Sequence, residues 1–97
     1  MATYVSLIKW TDQGIKSVKD TVKRGESATH LAEQLGGRIT TILWTQGSYD
    51  LITVADFRDE DSLQAFLLSL GSSGNIRTET MRAFSAQDIE RVIAKLP

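Results

Sequence analysis

Tyr49 and Asp50 stand side by side at the exit of a short turn, Trp44-Thr45-Gln46-Gly47-Ser48. A phenol and a carboxylate at the mouth of a hairpin can orient or deprotonate a small acidic substrate. The pair also has a structural use, with Tyr49 packing on a sheet and Asp50 bonding the turn backbone, as short acids often do. Neighbours on a strand point to opposite faces, so one cavity is not expected to take both. Arg77 and Glu79 share one face of the run Ile76 to Phe84, and Thr78, Thr80 and Arg82 share the other. Charge on both faces of a strand in an otherwise apolar sheet is a local inconsistency of the kind found at functional sites and interfaces. Arg77 can bind a carboxylate or an enolate; the plainer reading pairs it with Glu79 at a sheet edge or rim. Lys23-Arg24 can meet an anionic ligand or serve as two solvated cations, and the second is preferred. Trp10, Trp44, Tyr4, Phe57 and Met81 can line an apolar pocket on a sheet, or pack a core or an interface.

Other chemistries find little support. The chain has no cysteine and one histidine, His30, on the solvated flank of a helical stripe. Thiolate nucleophiles, disulfides and cysteine metal sites are therefore absent. No metal or cofactor is expected. Gly71-Ser72-Ser73-Gly74 follows a helix and precedes a strand, the reverse of the order a phosphate-cradling loop needs. The formal net charge of −1 gives no broad attraction for nucleic acid or an anionic membrane. The apolar start, Met1 to Ile8, meets Lys9 too soon for a signal-peptide core, and no stretch approaches the roughly 20 apolar residues of a membrane span. A soluble, cytoplasmic protein is expected.

Ninety-seven residues, 41% apolar and 24% charged, suit one domain over 1–97 with a thin stability margin. The β-branched and aromatic run Thr3 to Trp10 reads as a strand. Thr11 or Asp12 can cap a helical piece from Gln13, and a break is expected around Thr21 to Gly25. A stronger helix follows from Ser27 to Leu35, stopped by Gly36-Gly37. Arg38 to Thr45 and Asp50 to Phe57 are strands joined as a hairpin. Acids at Asp59 to Asp61 open a helix with the stripe Leu63, Phe66, Leu67 and Leu70. Ile76 to Phe84 is a fourth strand, and Ser85 caps a last helix with Ile89, Val92, Ile93 and Leu96 on one face. The order β-α-β-β-α-β-α predicts an α+β, ferredoxin-like βαββαβ fold with an extra C-terminal helix. Its four-stranded sheet is antiparallel, with the first two helices on one face.

Strand alternation leaves both faces of that sheet apolar. Val5 and Leu7 oppose Tyr4, Ile8 and Trp10. Ile39 and Leu43 oppose Ile42 and Trp44. Ile52 and Val54 oppose Leu51, Ala55 and Phe57. Helices cover one face; a sheet with its other face in water would carry polar residues there. A second copy is expected over the unpartnered face, taken to carry Trp10, Trp44 and Phe57, with coverage by the last helix as the alternative.

The chain resembles the GYD-domain family. The resemblance runs nearly end to end, through Trp10-Thr11-Asp12-Gln13-Gly14-Ile15, Lys23-Arg24, Leu35-Gly36-Gly37, the signature Gly47-Ser48-Tyr49-Asp50, and Gly71-Ser72-Ser73-Gly74-Asn75-Ile76-Arg77. It implies a dimeric α/β barrel and brings no catalytic role to any residue. The expected function is a homodimer, or a larger assembly of dimers, binding a small apolar or weakly acidic ligand with Trp10, Trp44, Tyr49, Asp50 and Arg77 as candidate contacts. The alternative, by fold analogy, is a small cofactor-independent or haem-dependent monooxygenase or isomerase.

Overall fold

The computed structural model describes residues Met1–Pro97. Strand β1 (Ala2–Trp10) leads through a single turn of helix, α1 (Asp12–Lys16), and a 3₁₀ turn at Val18–Asp20 into α2 (Thr21–Gln34). The hairpin β2 (Gly37–Trp44) and β3 (Leu51–Phe57) follows, then α3 (Glu60–Ser72), β4 (Ile76–Ala83) and α4 (Ala86–Ile93). The sheet order is β2-β3-β1-β4 and every neighbouring pair is antiparallel. This is the expected ferredoxin-like arrangement with one added helix. No helix is long and apolar enough to cross a membrane.

The helical break falls earlier than expected. The chain bends at the 3₁₀ turn, and Gly25 lies inside α2. A side chain at Gly25 would only come into ordinary contact with Ile42 and Trp44 of β2, so packing on the sheet carries the helix across its weakest residue.

Helices α2 and α3 cover the face bearing Tyr4, Ile8, Ala55 and Phe57. Tyr4, Ala32, Ala55, Phe57, Leu63 and Phe66 form the buried core, with the Phe57 and Phe66 rings 5.2 Å apart. Phe57 is fully buried. This corrects the placement of Trp10, Trp44 and Phe57 on the unpartnered face, because the helices pack on that side and not on the other. A second correction concerns β2. A register shift between Ile39 and Thr41 sets Ile39 opposite Ala55 and Ile42 opposite Thr53, so both isoleucines face the helices. Strict alternation would have separated them.

The opposite face carries Val5, Leu7, Ile52 and Val54, all half-buried, with Leu43 (57% exposed) and Met81 (44% exposed) beside them. Nothing in the chain covers this face. Ser85 caps α4 through a reciprocal pair of bonds with Asp88, yet Ile89, Val92, Ile93 and Leu96 all remain exposed. The last helix is therefore not the missing cover.

Candidate functional site

The family motifs meet in space around the end of β1. Thr11 accepts the Gly14 backbone N–H at 3.1 Å, starting α1, and its hydroxyl donates to the Gly74 carbonyl at 2.5 Å. The Thr11 backbone N–H donates to the Asn75 carbonyl at 3.0 Å. Gln13 donates to the Ser73 carbonyl and to the Asn75 side chain. Gly14 presses so closely on this turn that a Cβ would lie 1.9 Å from the Asn75 carbonyl oxygen. Gly74 takes a φ of +81°, which a side chain would strain. The segment Thr11 to Gly14 and the turn Ser73 to Asn75 thus form one clamp.

Asp50 is tied to the same place. Its carboxylate accepts the Trp10 backbone N–H at 2.9 Å, and its own N–H donates to the Ile8 carbonyl at 2.8 Å. The acid of the signature motif thus stitches the hairpin to β1: its carboxylate satisfies one backbone donor of the neighbouring strand, while its backbone carbonyl accepts the Thr45 N–H of its own turn at 2.9 Å. Tyr49 turns to the uncovered face. Its hydroxyl donates to Glu79 at 2.6 Å, and the Lys9 ammonium lies 5.2 Å from its ring centre. The carboxylate partner holds the phenol's pKa above its ordinary value, so Tyr49 is a poorer acid than a free tyrosine. Glu79 therefore takes Tyr49 as its partner, and it forms no ion pair with Arg77.

A cavity of about 270 Å³ lies between the covered face and helices α2 and α3. Its apolar walls include Ile8, Trp10, Leu31, Ile42, Leu51 and Phe66. Hydroxyls of Ser6, Thr53 and Thr78 come from three adjacent strands, and Ser69 adds one from α3. Ser6 also exchanges a hydrogen bond with Thr80 at 2.7 Å. Arg24 is the only ionisable residue in the lining. Its guanidinium reaches back along the chain: Nη1 donates to the backbone and hydroxyl oxygens of Ser17, and Nη2 to the Gly14 carbonyl at 3.2 Å. These bonds attach Arg24 to the clamp and fix where its charge stands.

Of the five residues singled out from the sequence, the structure brings Trp10 to the cavity wall. Trp44 lies on the helix side of edge strand β2, 42% exposed, and its indole N–H donates to the Thr21 hydroxyl at 3.0 Å. Tyr49 is on the other face, Asp50 is bound to backbone, and Arg77 borders a shallow groove between β4 and α3 with Gln64 and Leu67. The hydroxyls of Ser6 and Thr53 were not foreseen. Their signal is legible afterwards: each is a small polar residue between two buried apolar ones at period 2, Tyr4 and Ile8 for Ser6, Leu51 and Ala55 for Thr53.

A four-stranded antiparallel sheet with two helices on one face and a hollow between the layers defines a ferredoxin-like α+β protein with a sheet–helix cavity. The chain belongs to the GYD domain family, whose family model matches residues 4–93. It is 28% identical over 90 residues to a Thermus thermophilus protein named glutamine synthetase and cystathionine beta-lyase binding protein, covering 92% of this chain and 95% of that one. Two crystal structures share the fold. TTHA0845 from Thermus thermophilus is 24% identical with a TM-score of 0.55, over 89% of this chain and 96% of that one. MtbAldR is 9% identical with a TM-score of 0.68, over 87% of this chain; the chain spans 52% of that protein's length.

Proposed function

We propose that this protein is a homodimer that binds a small, mostly apolar molecule between its sheet and helices. The observation that carries the reading is the cavity itself: an apolar hollow with hydroxyls from three strands and a single charge. Ser6 is buried and already paired with Thr80, and Thr53 and Thr78 are half-buried, so the hollow offers a few placed polar groups among apolar walls, as a binding site needs. Tyr49, Asp50 and Arg77 do not line the cavity, and no acid–base pair does, which favours binding over proton-transfer chemistry there. Self-association is supported by the second face, where Val5, Leu7, Leu43, Ile52, Val54 and Met81 form an apolar centre with Lys9, Arg38, Asp56 and Glu79 around it. A patch with both signs of charge at its rim can face its own copy across a two-fold axis.

Native mass spectrometry on protein purified from its own host tests both parts. A dimer carrying a small-molecule adduct is the expected result. A monomer would overturn the association, and a bare dimer would count against the ligand.

A second reading draws on the Thermus relative, whose name describes binding to two metabolic enzymes. The exposed stripe Ile89, Val92, Ile93 and Leu96 on α4 offers this chain a surface for such a partner. Size-exclusion chromatography with purified glutamine synthetase is the check: co-elution that Val92→Asp abolishes is expected, and separate elution of the native chain would reject it.

A further inference from the structure

Arg24 carries a charge that the protein leaves unanswered. Its acceptors are two carbonyls and a hydroxyl, all neutral. No carboxylate lies within 4.0 Å of it, since the one ion pair in the chain is Arg91 with Asp88. The residue is half-buried and faces a hollow walled mainly by hydrocarbon. A cation partly withdrawn from water costs free energy unless an anion compensates it. A surface arginine would swing into solvent, but Gly14 and Ser17 hold this one in place. Such fixing orients the group without neutralising it, as expected of a preorganised receptor. Three of the guanidinium's five N–H groups are used; the Nε–H and one Nη2 hydrogen have no acceptor in the chain. Nε and Nη2 form one side of the guanidinium, an edge that matches the two oxygens of a carboxylate.

We infer that the cavity takes a small monocarboxylic acid, its carboxylate on Arg24 and its hydrocarbon body along Ile8, Leu31, Ile42, Leu51 and Phe66. The inference rests on the reading of this hollow as a ligand site and adds the ligand's charge. One guanidinium, with no lysine or second arginine in the lining, answers one negative charge and leaves a phosphate dianion in excess. The volume, just below the roughly 300–1,000 Å³ of drug-sized pockets, suits a medium-chain aliphatic or single-ring acid.

Isothermal titration calorimetry of the full chain with octanoate and with octanol separates the outcomes. Octanoate is expected to bind at least about tenfold more tightly, as a charge-assisted pair requires. Its advantage is expected to vanish in the native protein as pH falls through the acid's own carboxylate range. Arg24→Gln is expected to bring octanoate down to the affinity of octanol, and Arg24→Lys to retain part of the preference, with far-UV circular dichroism confirming both folds. Equal binding of octanoate and octanol by the native chain would overturn the carboxylate inference while leaving the cavity reading in place. Binding of neither would overturn both. Because the native chain decides these outcomes, a variant that fails to fold does not spare the inference.

Discussion

The two faces of one sheet invert the usual rule. The face covered by α2 and α3 carries Ser6, Thr53 and Thr78 among its apolar residues, while the face open to water carries Val5, Leu7, Ile52 and Val54. Hydrocarbon in the open is costly in an isolated chain, and the covered hydroxyls give up apolar packing, although Ser6 is satisfied by Thr80. Each would be relieved by a different kind of companion. Hydroxyls beneath helices can meet a small molecule; a broad apolar strip can meet another sheet. The covered face is hollow and the open one is not, so size of companion separates them as cleanly as polarity does.

The comparison breaks most sharply under large-to-small and apolar-to-charged substitutions. Phe57 is fully buried against Phe66, so Phe57→Ala is expected to cost about 3–5 kcal/mol in urea unfolding, whatever the assembly state. Val54→Asp on the other face is expected to leave the monomer's fold intact and weaken self-association by about 2–3 kcal/mol, read by sedimentation equilibrium. If Val54→Asp unfolds the chain at dilutions where the native protein is a folded monomer, the open face is serving as core and the contrast between faces collapses.

Gly14→Ala acts at the end of the covered face. The new methyl would collide with the Asn75 backbone, and the expected cost is about 1–3 kcal/mol in the same unfolding measurement. It also moves the Gly14 carbonyl that holds Arg24, so octanoate binding is expected to weaken more than octanol binding. An equal loss for both ligands would separate the clamp from the guanidinium.

Element types were legible in the sequence because their signals are local. Period-2 runs marked the strands, and Ser85 marked the start of α4; its reciprocal partner Asp88 emerged from the structure. Face assignment failed where the information is not local. Both faces of β1 and β3 are apolar, so alternation alone does not tell which one the right-handed crossovers cover. The shift at Ile39 to Thr41 has no glycine to announce it, and it moved Ile42 to the helix side. The site was legible in part. Trp10 and Arg24 were both noticed, yet Arg24 read as a solvated cation beside Lys23, because its acceptors on Gly14 and Ser17 appear only once α1 and the 3₁₀ turn fold back on α2. The clamp joins Thr11 to Asn75 across most of the chain, beyond any spacing rule.

A smaller effect sharpens the contrast at the helices. Helices α3 and α4 each start with a carboxylate on a backbone N–H, from the N-cap in α3 and from the third helical residue in α4. Asp59 accepts the Ser62 N–H at 2.7 Å, and Asp88 bonds the Ser85 N–H at 3.0 Å and also meets Arg91. Both carboxyls are held below the ordinary 3.8, Asp88 to about 2, chiefly by those backbone donors. A depressed carboxyl stabilises the fold fully above its unfolded value, and that contribution fades as pH falls through the folded one. The α4 cap should therefore weaken from about pH 4 to about 2, and the α3 cap should weaken as pH falls below the ordinary carboxylate range. Helix α3 has Leu63 and Phe66 buried beneath it, whereas eight-residue α4 has no buried residue and depends on its cap. Amide exchange across that range is expected to show α4 fraying while α3 stays protected. Equal persistence of the two would mean that a partner already covers the stripe Ile89, Val92 and Ile93. Repeating the measurement on Val54→Asp then tells whether that partner is the second copy: fraying restored by the substitution assigns the cover to the dimer, and protection retained means that the cover is not the copy held through the open sheet face.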